Sequence, residues 1–260
     1  MPIGNDKSLP MDAADNREGV MSAETETTRL PFFDCQGQEP TSPVEREAMK
    51  DWFLTLRHAQ VPFHQDDRLF LLYGHPLVVR VGLYAATERV LAGESVLYLD
   101  GANTFDPFVI GRLARARRRP PRRILSLVHV ARAFTCHQME RLVSDCLGPA
   151  LDRYQARTAV ISGLFETFYD EAVPDHEASR LFGRMMESIG RLTRQGYTLL
   201  CLCPPAPVPT RVGRHRLNRL RDQADRVIRV HEEQGVVRLE EEGQEDGQSW
   251  EVARTVLEHR

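Results

Sequence analysis

Lysine is almost missing from this chain: of its 34 basic residues only Lys7 and Lys50 are lysine, and the rest are arginine. A GC-rich coding sequence accounts for such a bias, so the clustering of the arginines carries information and their number does not. Charge of one sign is missing too. The 37 acidic residues leave a net charge of −3, which excludes a global electrostatic argument for nucleic acid or membrane. No apolar run approaches the roughly 18 residues that span a bilayer. The first residues also lack the basic segment and apolar run of a secretory signal. Cysteines are few and odd in number. Cys35, Cys136, Cys146, Cys201 and Cys203 sit mostly in apolar runs, as thiols do in a reducing cytoplasm. Cys201-x-Cys203 has no second pair at zinc spacing. The expectation is a soluble, cytoplasmic protein with no membrane partner.

What is present is an alternation of strands and helices. With 260 residues, 42% of them apolar, the chain has room for one large α/β domain and a small appendage. Residues 1–44 are polar and acidic, with Leu30-Pro31-Phe32-Phe33 as an anchor candidate, and are expected to be a disordered arm. Ser42-Pro43 followed by Glu45 and Glu47 reads as a helix start, so 45–65 is expected to be a lead-in helix. Trp52, Phe53 and Leu56 would form its apolar face. From residue 66 the pattern changes. Residues 69–73, 95–100, 124–130, 159–164 and 198–203 read as short buried strands, with helices over 81–91, 109–117, 136–147 and 178–195. Such spacing implies βαβ crossovers and a mainly parallel sheet covered on both faces. Two alternating runs around Glu233-Gln234-Gly235 predict an antiparallel hairpin at the sheet edge, and 241–260 reads as an acidic, weakly helical tail.

The stretch 69–82, LFLLYGHPLVVRVG, has the frame of a phosphate-binding loop: an apolar strand, a glycine and a helix. The pattern G-x-x-x-x-G-K-[ST], counted from Gly74, puts Val79, Arg80 and Val81 where glycine, lysine and a hydroxyl belong. A β-branched valine resists the dihedrals of the second glycine, and Val81 has no oxygen for magnesium.

Further along, VLYLDGANTFDP (96–107), HVARAFTCHQMERLV (129–143) and RLNRLRDQADRVIRV (216–230) resemble three segments of the RecA/RadA recombinase ATPases. The second is similar to that family's A-R-A-[FY]…H-Q signature. The resemblance covers residues 66–240 and implies a RecA-like core: a mainly parallel central sheet flanked by helices, with a C-terminal antiparallel hairpin at its edge. It also marks departures. Ala102 stands where the family carries the glutamate that orients water, and Ser162-Gly163 where a magnesium-associated aspartate ends the fourth strand. Pro204-Pro205 replaces the polar sensor after the fifth. Phosphoryl transfer rests on positioning and electrostatics, so these losses together imply that the ATPase chemistry is gone.

The resemblance makes Gly74, Arg80, Asp100 and Arg132 a degenerate nucleotide site. Arg80 is either a replacement phosphate ligand or a structural arginine, and Arg132 either faces an adenine or is scaffold. Glu166, Asp170 and Glu171, with His176 nearby, fall in the segment that matches the first DNA-binding loop. They offer acid/base or metal chemistry, or else are an acidic surface loop. Arg211, Arg214, His215, Arg216, Arg219 and Arg221 match the second DNA-binding loop, a mobile segment suited to phosphates. The alternative is a solvated helix start paired with Asp222 and Asp225. Arg112, Arg115, Arg117, Arg118, Arg119, Arg122 and Arg123 form a second basic patch around Pro120-Pro121, open to nucleic acid or an acidic partner segment, or else a solvated connector. No Phe is followed by Ala three residues on, so self-filamentation through the family's F-x-x-A peptide is not expected.

The functional expectation is a non-catalytic RecA-like accessory protein of DNA recombination or repair. It would bind single-stranded DNA, a recombinase or another repair protein. No metal or other cofactor is expected. Two alternatives stand beside it: an ATPase using ATP and magnesium through Arg80 and Asp100, and a protein-interaction scaffold unrelated to DNA.

Overall fold

The computed structural model describes residues 52–56, 59–64, 66–169, 173–206, 210–243 and 247–258. The expected arm over 1–44, and the start of the expected lead-in helix, lie outside them. A hairpin of β1 (Trp52–Leu56) and β2 (Ala59–Phe63) comes first. There follow β3 (Leu69–Tyr73), α1 (Val78–Leu91), β4 (Val96–Asp100), α2 (Pro107–Ala116), α3 (Pro121–Leu125) and β5 (Val128–Arg132). Then come α4 (Cys136–Arg141), a π-helical turn (Leu142–Cys146), α5 (Leu147–Arg153), β6 (Thr158–Ser162), α6 (Asp175–Arg194) and β7 (Thr198–Cys203). The chain goes on through α7 (Arg211–Gln223), β8 (Arg226–Glu233), β9 (Val236–Glu241), β10 (Ser249–Ala253) and α8 (Arg254–Glu258).

The main sheet has eight strands in the order β10-β9-β8-β3-β7-β6-β4-β5. From β8 to β5 all neighbours are parallel, while β8–β9 and β9–β10 are antiparallel. The apolar runs explain the parallel part, because strands covered on both faces need apolar residues at every position. In β3, Phe70 and Leu72 enter one core layer, and Leu69 and Leu71 the other. β7 divides in the same way, with Leu200 and Leu202 opposed to Leu199, Cys201 and Cys203. The first layer lies under α1, α2, α3, α8 and the β1–β2 hairpin. The second lies under α4, the π turn, α5, α6 and α7. The expected α/β architecture with a mostly parallel sheet and an antiparallel addition at its edge is therefore present. Gln234 and Gly235, with φ of 51° and 80°, make the two-residue turn of the β8–β9 hairpin.

Four expectations need correction. Residues 52–56 and 59–63, expected within the lead-in helix, form β1 and β2, with Leu54, Leu56, Val61 and Phe63 buried at strand period. The strand expected over 124–130 begins only at Val128, because Pro121 starts the short helix α3 through Leu125. The tail expected over 241–260 contains β10, the outermost strand of the sheet. The mobile basic loop expected around 211–221 is the ordered helix α7, whose first turn is capped by Thr210 Oγ1 accepting from Gly213 N at 2.9 Å. Among the described residues, no helix is long and apolar enough to cross a membrane.

Candidate functional site

The carboxyl ends of β3 and β7 are where ligands are expected, because the chain leaves these neighbours on opposite faces, into α1 and α7. Only residues 74–77 join β3 to α1. Gly74 holds φ +112°, and a Cβ there would lie 2.7 Å from the Val230 carbonyl oxygen. The following amides turn inward: Leu77 N donates to His75 Nδ1 at 3.2 Å, Val78 N to His75 O at 3.0 Å and Val79 N to Pro76 O at 3.4 Å. Val78, Val79 and Val81 are buried in the core. A phosphate cradle needs free, convergent amides at a helix start. The amides of Leu77, Val78 and Val79 are spent on acceptors in the turn itself, and the residues present do not fit a nucleoside triphosphate.

The other positions of the degenerate site are committed as well. Arg80 Nη1 donates to Asp106 Oδ2 at 2.9 Å, and Asp106 Oδ1 accepts from Phe108 N at 2.9 Å as the N-cap of α2. Asp100 is buried, and its two oxygens accept from Thr104 N at 2.9 Å and Phe105 N at 3.0 Å. Arg132 Nε lies 3.5 Å from Asp100 Oδ2. The structure thus brings Asp100 and Arg132 together, with Asp100 anchoring the turn after β4. Ala102 packs against Gly163, where any Cβ would collide with the Ala102 backbone nitrogen. Gly101 N donates to Ser162 O at 2.7 Å, Gly163 N to Leu202 O at 3.2 Å and Gly74 N to Cys203 O at 3.3 Å. The sheet ladder thus runs on past the strand ends and closes this rim.

Beside the rim, a cleft of about 220 Å³ is lined by Tyr73, Phe165, Tyr169, Pro204, Arg214 and Leu217, among others. Burial raises the carboxyl of Glu166, in the turn after β6, to about 7, and one of its oxygens is buried without a hydrogen-bond partner. Burial also pushes the Tyr169 hydroxyl to about 12 and the Cys203 thiol well up. Tyr73 Oη donates to Glu242 Oε1 at 2.5 Å, and Glu242 pairs with Arg221 at 2.7 Å. Asp170 and Glu171 lie outside the described residues, and His176 is exposed on the first turn of α6. Among the described residues, no three His, Cys, Asp or Glu side chains gather as metal ligands.

The two arginine clusters differ in how they are used. On α7, Arg216 is buried, its guanidinium 5.0 Å from the centre of the Phe168 ring, and Arg219 lies 5.4 Å from the Phe182 ring centre. Asp225 does not pair with this helix. Its Oδ2 accepts from Arg68 N and Leu69 N, both at 2.8 Å. Arg211, Arg214 and His215 remain exposed. In the α2–α3 patch, Arg115, Arg117, Arg118, Arg119, Arg122 and Arg123 are exposed, and among the described residues only Arg117 has a carboxylate, Glu88 at 2.8 Å. Sequence reasoning missed Phe108 and Phe134, which are 82% and 68% exposed in the first turn of α2 and the turn after β5. For Phe108 the signal was available, since its position falls off the apolar stripe formed by Val109, Ile110 and Ala114. The chain matches no protein-family model and no curated protein.

Proposed function

We propose that this chain is a RecA-like core without nucleotide chemistry that serves DNA recombination or repair as a nucleic-acid-binding accessory. The closed turn between β3 and α1 carries this reading. The chain keeps the strand, glycine and helix of a phosphate loop, but the amides are spent internally and the valines are sunk in the core. The order of elements from β3 to β9 agrees with the resemblance in the sequence. The A-R-A-F…H-Q segment has a local structural use that needs no ligand. Thr135 caps α4 by accepting from Gln138 N at 3.2 Å, and Gln138 Oε1 accepts from Phe134 N at 2.8 Å. A signature that holds its own turn can persist after a nucleotide is lost.

Two measurements test the reading. Thermal unfolding with millimolar ATP and magnesium is expected to show no stabilisation. A ligand at about 100 times its dissociation constant would add about 2.7 kcal/mol, so a clear upward shift would refute the loss of nucleotide binding. Fluorescence anisotropy with a labelled oligonucleotide at low salt is expected to show binding that weakens as salt rises. A flat titration would remove the nucleic-acid half of the reading.

A further inference from the structure

The end of α2 and the start of α3 carry the densest run of arginines in the chain. Elsewhere arginines meet carboxylates, among them Arg80 with Asp106, Arg184 with Glu140, Arg221 with Glu242, Arg226 with Glu241, Arg238 with Glu251 and Arg254 with Glu232, and on α7 Arg216 and Arg219 lie against aromatic rings. Arg115, Arg118, Arg119, Arg122 and Arg123 have no carboxylate among the described residues within ion-pair distance, although all are exposed and adjacent. Arginine abundance alone would leave unpaired guanidinium groups scattered rather than gathered at one turn. Crowded like charges repel, and a counter-charge from outside the chain relieves that repulsion.

The patch is also built rigidly. Arg117 N donates to Leu113 O at 3.0 Å, Arg118 N to Arg115 O at 2.9 Å and Arg119 N to Ala114 O at 2.8 Å, closing the end of α2. Arg118 takes a left-handed φ of +54°, and Pro120-Pro121 then starts α3. Phe108, Arg112 and Arg115 follow at i, i+4 and i+7, so they share one face of α2 opposite its buried Val109, Ile110 and Ala114. One guanidinium nitrogen of Arg112 is shielded from solvent and has no acceptor among the described residues. The exposed ring of Phe108 therefore stands at one end of a basic stripe about 15 Å long, the length of a ten-residue helix. The second exposed ring, Phe134, leaves the carboxyl end of β5, the strand next to β4.

We infer that this stripe is a track for single-stranded nucleic acid. The guanidinium groups from Arg112 to Arg123 neutralise successive phosphates, and Phe108, with Phe134 at the same rim, offers a face on which a base stacks. Basic grooves with exposed aromatic rings bind single strands in this way with little sequence preference. The inference rests on the nucleic-acid reading above and puts the contact on α2 and α3 rather than on α7, the segment that matches the second DNA-binding loop in sequence.

The test is an anisotropy titration of the whole chain with a labelled oligothymidylate and with a duplex of equal length, between about 50 and 200 mM salt. Six phosphate contacts give a slope of log affinity against log salt of about −4 on a single strand. Changing Arg115, Arg118, Arg119, Arg122 and Arg123 together to Ala is expected to flatten the slope to about −1. Phe108→Ala, at a site too exposed to disturb folding, is expected to weaken single-strand binding about five- to a hundredfold at an unchanged slope. If Arg211→Ala with Arg214→Ala flattens the slope and the five-arginine variant does not, the track is wrong while DNA binding stands. If Phe108→Ala and Phe134→Ala leave affinity untouched and duplex binds equally well, the single-strand assignment falls. If the unaltered chain binds neither probe, the nucleic-acid reading fails with it.

Discussion

Gly74 decides the geometry of the turn after β3, because its φ of +112° is a region that side chains rarely adopt. A methyl group would also sit 2.7 Å from the Val230 carbonyl oxygen, a backbone atom that cannot swing away. Gly74→Ala is therefore expected to cost about 1–3 kcal/mol, read from the urea midpoint. An unchanged midpoint would show that the glycine is not needed there. Glu166 sets a different kind of cost. Burial raises its carboxyl from 4.5 to about 7, so between those values the folded state holds more protons than the unfolded one. Stability from this group is thus complete at acid pH and falls as pH rises through 7. Glu166→Gln is expected to match the unaltered chain near pH 5 and to exceed it near pH 8 by on the order of 1–3 kcal/mol. Parallel pH profiles for the two chains would contradict this.

Among elements, α1 and α2 are fastened by one side chain with two tasks. Asp106 caps α2 through one oxygen and holds Arg80 of α1 through the other. Both partners of the ion pair are about one-third exposed, so Arg80→Ala is expected to cost only about 0.5–1 kcal/mol. Asp106→Ala loses the cap as well and is expected to cost about 1–2 kcal/mol, whereas Asp106→Asn keeps the cap and falls between. Equal midpoints for the Ala and Asn variants would mean that the cap carries nothing. The same elements show what the sequence could and could not tell. β3 and β7 were legible to the residue, because an uninterrupted apolar run with a turn after it fits a parallel strand buried on both faces. β1 was not, since Trp52, Phe53 and Leu56 also match helical spacing and only pairing with β2 selects the strand. At the rim, the replaced residues of the phosphate loop could be read directly. The use of both Asp100 oxygens by Thr104 and Phe105 could not, because it depends on how the turn folds.

At the scale of the molecule, the region beyond β8 is part of the core rather than an appendage. Val237 and Leu239 of β9, Val252 of β10, and Val256 and Leu257 of α8 are buried in the layer that also holds α1. Arg226 makes a buried two-point contact with Glu241, at 2.7 Å from each of two nitrogens, and also donates to the Pro62 carbonyl of β2. Tyr84 of α1 donates to the Val256 carbonyl at 2.7 Å in a buried setting. Sequence reasoning read residues 241–260 as a tail, which would make them dispensable. A chain ending at Gly243 should instead lose the burial of Val252, Val256 and Leu257, about 1.5–3 kcal/mol for each side chain, and with it the buried Tyr84–Val256 hydrogen bond. Such a sum approaches the roughly 5–15 kcal/mol that holds a whole domain together. The shortened chain is therefore expected to lose its sharp urea transition and to exchange the amides of β3 and β8 rapidly, since the core layer over these strands loses Val252, Val256 and Leu257. If it unfolds at the same midpoint as the full chain, with β3 and β8 still protected, β10 and α8 are an addition and not a part of the folding unit.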